Sequence, residues 1–229
     1  PAGDWRATYD FSLIDPSTLP GQWPDRPLAE LSFTVFDTET TGLSPLQGDK
    51  IISIGAVRIV NGRLLRQETF DQLVDPQRSV PEASVAIHGI RAETLVGAPT
   101  IDVVLPAFAA FAEDTVLVGH NVAFDLQFLH LAKDLAGTLL TLPVLDTLLL
   151  SGAAHPEQVS HSLEAMSARL GVNVIGRHSA LGDALVTGEV FLKLLDVLAG
   201  QGIRTLGEAH EAAQRTYQAK KSDSLYVKG

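Results

Sequence analysis

Two acids two residues apart, Asp37 and Glu39, close an apolar run in "FTVFDTETTGL", residues 33–43. In a β-strand residues i and i+2 point the same way, so both carboxylates project from one face as close neighbours. Ionised carboxylates that close repel. A core strand tolerates them only where a cation, a shared proton or bulk water relieves the repulsion. Each remedy names a different chemistry: a divalent metal site, an acid dyad, or a solvated strand end.

Further acids widen the choice: Asp125 in "GHNVAFD", Asp146 in "VLDT", and Asp183 with His178 in "RHSALGD". Hard cations such as Mg²⁺ or Mn²⁺ take oxygen ligands, and a pair of them about 3.5–4 Å apart can clamp the attacking and leaving oxygens of a phosphoryl transfer. Asp37, Glu39, Asp125 and Asp183 would supply the three or four carboxylates that two such ions need, and a neutral imidazole would take the proton of the attacking water. The pattern His-x-x-x-x-Asp occurs twice, at His120 to Asp125 and at His178 to Asp183, and spacing does not choose between them. Each acid taken alone also has a plain use as a cap or helix-dipole partner. Asp146 reads as structural, and His130, His155, His161 and His210 read as structural or solvent-facing.

The elements that must position these residues follow from the pattern. "FTVFD", "KIISIGAVRIV" and "LLRQETFDQLV" are β-branched or alternating runs, the last two joined by Asn61-Gly62, a strong hairpin signal. "VLVGH" at 116–120 and "PVLDT" at 143–147 read as short buried strands. Helical runs cover 121–137, opening on Asn121 and stopping at Gly137; 162–171, capped by Ser162; 180–200; and 205–220, capped by Thr205. A meander followed by strand and helix units predicts an α/β fold with a mixed sheet covered by helices. In such sheets the crevice beyond the strand ends is the usual binding place, so acids far apart in sequence would meet there.

Residues 1–30, with two Trp and five Pro, read as an extended arm that lies on or links to a domain; 31–200 form the domain itself, and 201–229 a C-terminal helix and tail. With 229 residues, 45% hydrophobic, one full core is expected. The absence of cysteine excludes thiolate metal sites and fits a reducing cytosol. A formal charge of −10 argues against a non-specific duplex binder, though carboxylates offset by bound cations would contribute to that charge. No window approaches the roughly 18 apolar residues of a membrane span, and no signal pattern opens the chain. The expectation is a soluble, cytoplasmic protein without a membrane partner. Starting at Pro1 fits either removal of an initiator Met or a piece of something longer.

The motifs resemble the DEDD superfamily of 3′–5′ exonucleases in its His-containing branch, and in general likeness the proofreading (epsilon) subunits of bacterial replicative polymerases. "VFDTETTGL" looks like that family's first motif, "GHNVAFD" its second and "HSALGDA" its third, with "IHGI" at 87–90 a further familiar stretch. The resemblance spans about residues 31–198. It implies a ribonuclease H-like fold with a five-stranded mixed sheet, two divalent ions (Mg²⁺ or Mn²⁺) on Asp37, Glu39, Asp125 and Asp183, and His178 as general base. It also implies release of nucleoside 5′-monophosphates from single-stranded 3′ ends. Main chain at Thr40, Thr41 and Gly42 would meet the terminal nucleotide, Leu43 would wedge against its base, and His88, Asn121 and Phe124 would line the same pocket. Phe124 and His88 have competing readings as core or structural residues.

Two rivals stand beside a DNA exonuclease: a short-RNA or dinucleotide nuclease on the same scaffold, and a non-catalytic module that binds a partner. The arm at 1–30 is a candidate surface for a polymerase or an upstream domain.

Overall fold

A computed structural model describes residues 8–18, 21 and 23–226. The β-branched runs pair into one sheet of β1 (Phe33–Thr40), β2 (Ile51–Val60), β3 (Arg63–Leu73), β4 (Val116–Gly119) and β5 (Val144–Asp146), in the order β3-β2-β1-β4-β5. β1, β2 and β3 are antiparallel, while β4 runs parallel to β1 and β5 parallel to β4. This is the five-stranded mixed sheet that the resemblance implies. The β2–β3 turn holds Asn61 at φ 51° and Gly62 at φ 71°, the positive values that a two-residue hairpin turn requires.

Among the described residues, eight α-helices follow or separate the strands: α1 (Glu82–His88), α2 (Ile101–Phe111), α3 (Val122–Leu131), α4 (Lys133–Ala136), α5 (Thr147–Ala154), α6 (Leu163–Leu170), α7 (Ala180–Gly200) and α8 (Leu206–Tyr226). Alternation along β1 sorts them onto two faces. Phe33 meets Phe191 of α7 edge-on at 4.9 Å, whereas Phe36 packs on Phe108 of α2 at 5.5 Å. Residues 33, 35, 37 and 39 therefore face α7, and 34, 36 and 38 face α2 and α3. The helix expected over 121–137 breaks at Ala132, and its last turn, α4, folds back against α2. Tertiary packing overrides local propensity there.

The described part of the arm lies on the domain. Tyr9, Ile14 and Leu28 are buried in the common core, Phe11 stacks on Tyr217 of α8 at 5.1 Å, and Trp23 meets His210 edge-on. Backbone bonds tie the two segments together: Leu28 N–H donates to Arg204 O at 2.9 Å and Leu206 N–H to Arg26 O at 3.0 Å, around a Pro27–Thr205 bridge. Among the described residues no helix is long and apolar enough to cross a membrane.

Candidate active site

Asp37 and Glu39 sit near the C-terminal end of β1 on the face that α7 covers. Directly opposite Asp37 in the antiparallel register is Gly55 of β2. A Cβ there would lie 2.1 Å from the backbone nitrogen of Leu181, so the first turn of α7 rests on bare strand backbone. That contact brings Asp183 down to β1. Ser179 caps the helix, its Oγ accepting from Gly182 N–H at 3.0 Å. As a result one carboxylate oxygen each from Asp37, Glu39 and Asp183 lie within 4.8 Å of one another.

Asp125 arrives from the opposite face. It is buried in the first turn of α3, and its Oδ1 accepts from the hydroxyl of Thr38, the β1 residue between the two acids. It is thus outside the close trio, but its charge is the largest electrostatic influence on Asp37 after burial. Burial, then Asp125, Glu39 and Asp183 raise the Asp37 carboxyl well above the usual carboxylate range. Burial, then Asp183 and Asp125 push Glu39 up to about 8, against the pull of the Arg177 cation. Burial takes Asp125 to about 7 despite the Thr38 hydrogen bond. Oxygen-only donors, short of protons' worth of compensating charge, fit a hard divalent cation; no sulfur or imidazole competes within the trio.

The loop before α7 carries the base expected from the resemblance. His178 adopts a left-handed conformation (φ 69°), its backbone N–H donates to Asp183 Oδ1 at 3.1 Å, and its ring is solvent-exposed with no hydrogen bond among the described residues. The other candidate, His120, behaves differently. Its Nδ1 lies 2.9 Å from Thr147 Oγ1, and burial followed by the Arg177 charge pushes it down to about 4. Arg177 escaped the reading of the sequence, although it precedes His178: it ion-pairs with Asp183 at 2.9 Å and with Glu164 of α6. Thr38 and Gly55 escaped it too, because their roles exist only once the strand register is known.

The residues expected to meet the nucleotide gather past β1. Thr40 Oγ1 donates to Gly42 O at 2.7 Å, and Thr41 Oγ1 to Asp49 Oδ1 at 2.9 Å. A Cβ on Gly42 would fall 2.3 Å from the Asp49 carboxylate, which also accepts from Ser44 N–H. Leu43 projects from this pinned turn with 79% of its surface exposed. His88 Nδ1 accepts from Ile90 N–H at 3.0 Å, which places its proton on Nε2, 3.2 Å from Thr40 O. Phe124 packs edge-on against Phe128 at 5.2 Å and is partly buried. Asn121 makes no side-chain cap; it is left-handed (φ 55°), and its N–H donates to Asp146.

Asp146 organises this corner. Fully buried, it accepts from Asn121, Val122 and Leu148 N–H, each at 2.9 Å, and from the Tyr9 hydroxyl at 2.6 Å. It fixes the start of α3, and with it Asp125, and it has the structural role that its sequence suggests.

The sequence profile of a family described as Exonuclease matches residues 34–191. The chain belongs to the exonuclease family. Among proteins similar to this chain, a DNA polymerase III subunit epsilon-like protein of Rhodobacter capsulatus is 47% identical over 207 residues, covering 88% of this chain and 29% of that protein. A DNA polymerase III PolC-type of Thermotoga maritima is 38% identical over 185 residues, 80% of this chain and 13% of that one. The chain thus spans under a third of either relative. Its fold is shared with exonuclease X, solved with 5′ overhanging duplex DNA (TM-score 0.60, 23% identity, 79% of this chain and 99% of that one). It is shared as well with the nuclease domain of 3′hExo, a DEDDh family member bound to rAMP (TM-score 0.60, 18% identity, 74% and 94%).

Proposed function

We propose that this chain is a metal-dependent 3′–5′ exonuclease that releases nucleoside 5′-monophosphates from single-stranded DNA ends in the cytoplasm, with a replicative polymerase as partner. The observation that carries the reading is the convergence of Asp37, Glu39 and Asp183 within 4.8 Å on protein that leaves them mutually repelled. The DNA polymerase III names of the relatives support DNA over RNA and a polymerase partner.

Asp37, Glu39, Asp125 and Asp183 are the residues that would hold Mg²⁺ or Mn²⁺. Such ions supply positive charge at the attacking and departing oxygens of an in-line displacement. His178 takes the proton of the attacking water, an assignment supported by its attachment to Asp183 and by its exposed ring. His88 Nε2–H holds the Thr40 carbonyl, so that the Thr40–Gly42 main chain presents a fixed edge to the terminal nucleotide. Leu43 supplies an apolar surface for its base, a contact that tolerates any sequence. Asn121 and Phe124 complete the surroundings.

The test is digestion of matched 5′-labelled single-stranded DNA and RNA oligomers with Mg²⁺ or Mn²⁺, with Asp37→Asn alongside. The expected result is a ladder shortening from the 3′ end, faster on DNA and absent in the variant. No shortening of either strand with either metal overturns the reading.

A further inference from the structure

On the β4–β5 side of the carboxylates lies a cleft of about 550 Å³, within the roughly 300–1,000 Å³ range of ligand sites. Asp37, Asp183 and Glu164 belong to its lining, together with Arg177, which pairs with the last two, His161 and, from α8, Lys220. Asn121, at the edge of the terminal nucleotide's surroundings, also lines the cleft, whereas the turn Thr40 to Leu43 with His88 takes no part in that lining and sits towards β2 and α1. A strand whose last nucleotide occupies that turn and whose terminal linkage lies at the carboxylates must continue beyond them. The cleft is the space on the other side.

Its chemistry suits phosphate. Lys220 is partly buried and has no carboxylate partner among the described residues, in a chain with 27 acidic and 17 basic residues. The helix that carries it is seated by a close contact: a Cβ on Gly152 of α5 would fall 2.5 Å from Thr216 Cγ2, and Lys220 follows Thr216 by one turn on the same face. His161 is buried, with Nδ1 at 2.7 Å from Ser151 Oγ and Nε2 without a partner among the described residues; Arg177 Nε is in the same state. Such groups bind a phosphodiester backbone without regard to base. The helix α8 lies outside residues 34–191, the part of the chain that the family profile matches.

We propose that this cleft binds the phosphodiester backbone one and two linkages upstream of the scissile one, with Lys220 and Arg177 as phosphate partners. The inference rests on the exonuclease reading for the direction of the strand. Lys220 then makes longer strands better ligands than a dinucleotide, whose single phosphate stays at the carboxylates.

The experiment measures binding of 5′-labelled dithymidylate and hexathymidylate by fluorescence anisotropy, with Ca²⁺ in place of Mg²⁺, for the wild type, Lys220→Ala and Lys220→Glu, across a KCl series. Wild-type digestion in Mg²⁺ is run in parallel. The expected result is a loss of hexamer affinity on Lys220→Ala that exceeds the loss for the dimer, a larger loss for Lys220→Glu, and a salt slope shallower by about 0.7 for Lys220→Ala on the hexamer. Equal losses on both lengths, or no loss on the hexamer, overturn the proposal. Binding that depends on Lys220 without digestion would remove the nuclease reading and leave the cleft; digestion without that dependence would remove the cleft alone.

Discussion

The hydroxyl of Tyr9 lies 2.6 Å from Oδ2 of Asp146, joining the arm to the carboxylate that fixes the start of α3. Tyr9→Phe keeps the packing and removes one buried donor, which is expected to cost about 1–3 kcal/mol. Urea denaturation checks this. An unchanged midpoint would mean that the bond contributes nothing to stability.

Asp37→Asn separates the two roles of the acidic trio. In EDTA at pH 8.5 the variant is expected to melt several degrees above the wild type, because one repelling charge is gone, and 1 kcal/mol shifts a chain of this size by about 2–4 °C. Saturating Mg²⁺ should raise the melting temperature of the wild type and leave the variant where it was. A variant that melts lower in EDTA would contradict the repulsion.

The pH dependence of the metal-free protein has a worked sign. Glu39, pushed up to about 8, and Asp37, also raised, bind protons in the folded state that the unfolded chain has already released. Their raised values therefore lower stability as pH climbs from the ordinary carboxylate range through about 8. His120 and His210, both pushed down to about 4 chiefly by burial, act oppositely, but their effect is complete once pH exceeds the ordinary histidine value. From pH 7 to 9 the melting temperature in EDTA should fall, and saturating Mg²⁺ should flatten the fall. A rise over that range would refute the assignment.

His178→Ala is expected to cut the rate on the order of 10²–10⁴. Its ring is exposed and makes no bond among the described residues, so the melting temperature should not move. A rate loss below threefold would take His178 out of the base's role.

Gly55→Ala would force a methyl against the backbone of Leu181. Overpacking of this kind costs about 1–3 kcal/mol. Because the displaced turn carries Asp183, the variant is expected to lose Mg²⁺-dependent stabilisation as well, read by the same thermal shift. A variant that keeps the full Mg²⁺ shift would show that α7 can be lifted without disturbing the acids.

Much of this architecture was legible from local pattern. Alternation alone placed Asp37 and Glu39 on one face, Asn61-Gly62 marked the hairpin, and Ser162 and Thr205 cap their helices as read, accepting from Ala165 N–H at 3.1 Å and Glu208 N–H at 3.2 Å. What stayed hidden depends on partners distant in the chain. No local signal says that α3 crosses the face opposite α7, so that Asp125 meets Thr38 before it meets Asp37. Gly55 reads as an ordinary strand residue until register sets it against Asp37. Arg177 was overshadowed by its neighbour His178, and Tyr9 finds its acid 137 positions away.

The seam between the arm and α8 bears on how the chain is built. Bonding Leu28 to Arg204 closes a loop that contains the whole sheet, and such non-local closure loses chain entropy before any contact rewards it. Synthesis proceeds from the N-terminus, so the arm emerges long before the helix it packs on. The sheet and α7 can fold while Phe11 and Trp23 still await Tyr217 and His210. The arm, made before the sheet, is thereby fully seated only once α8 has followed it.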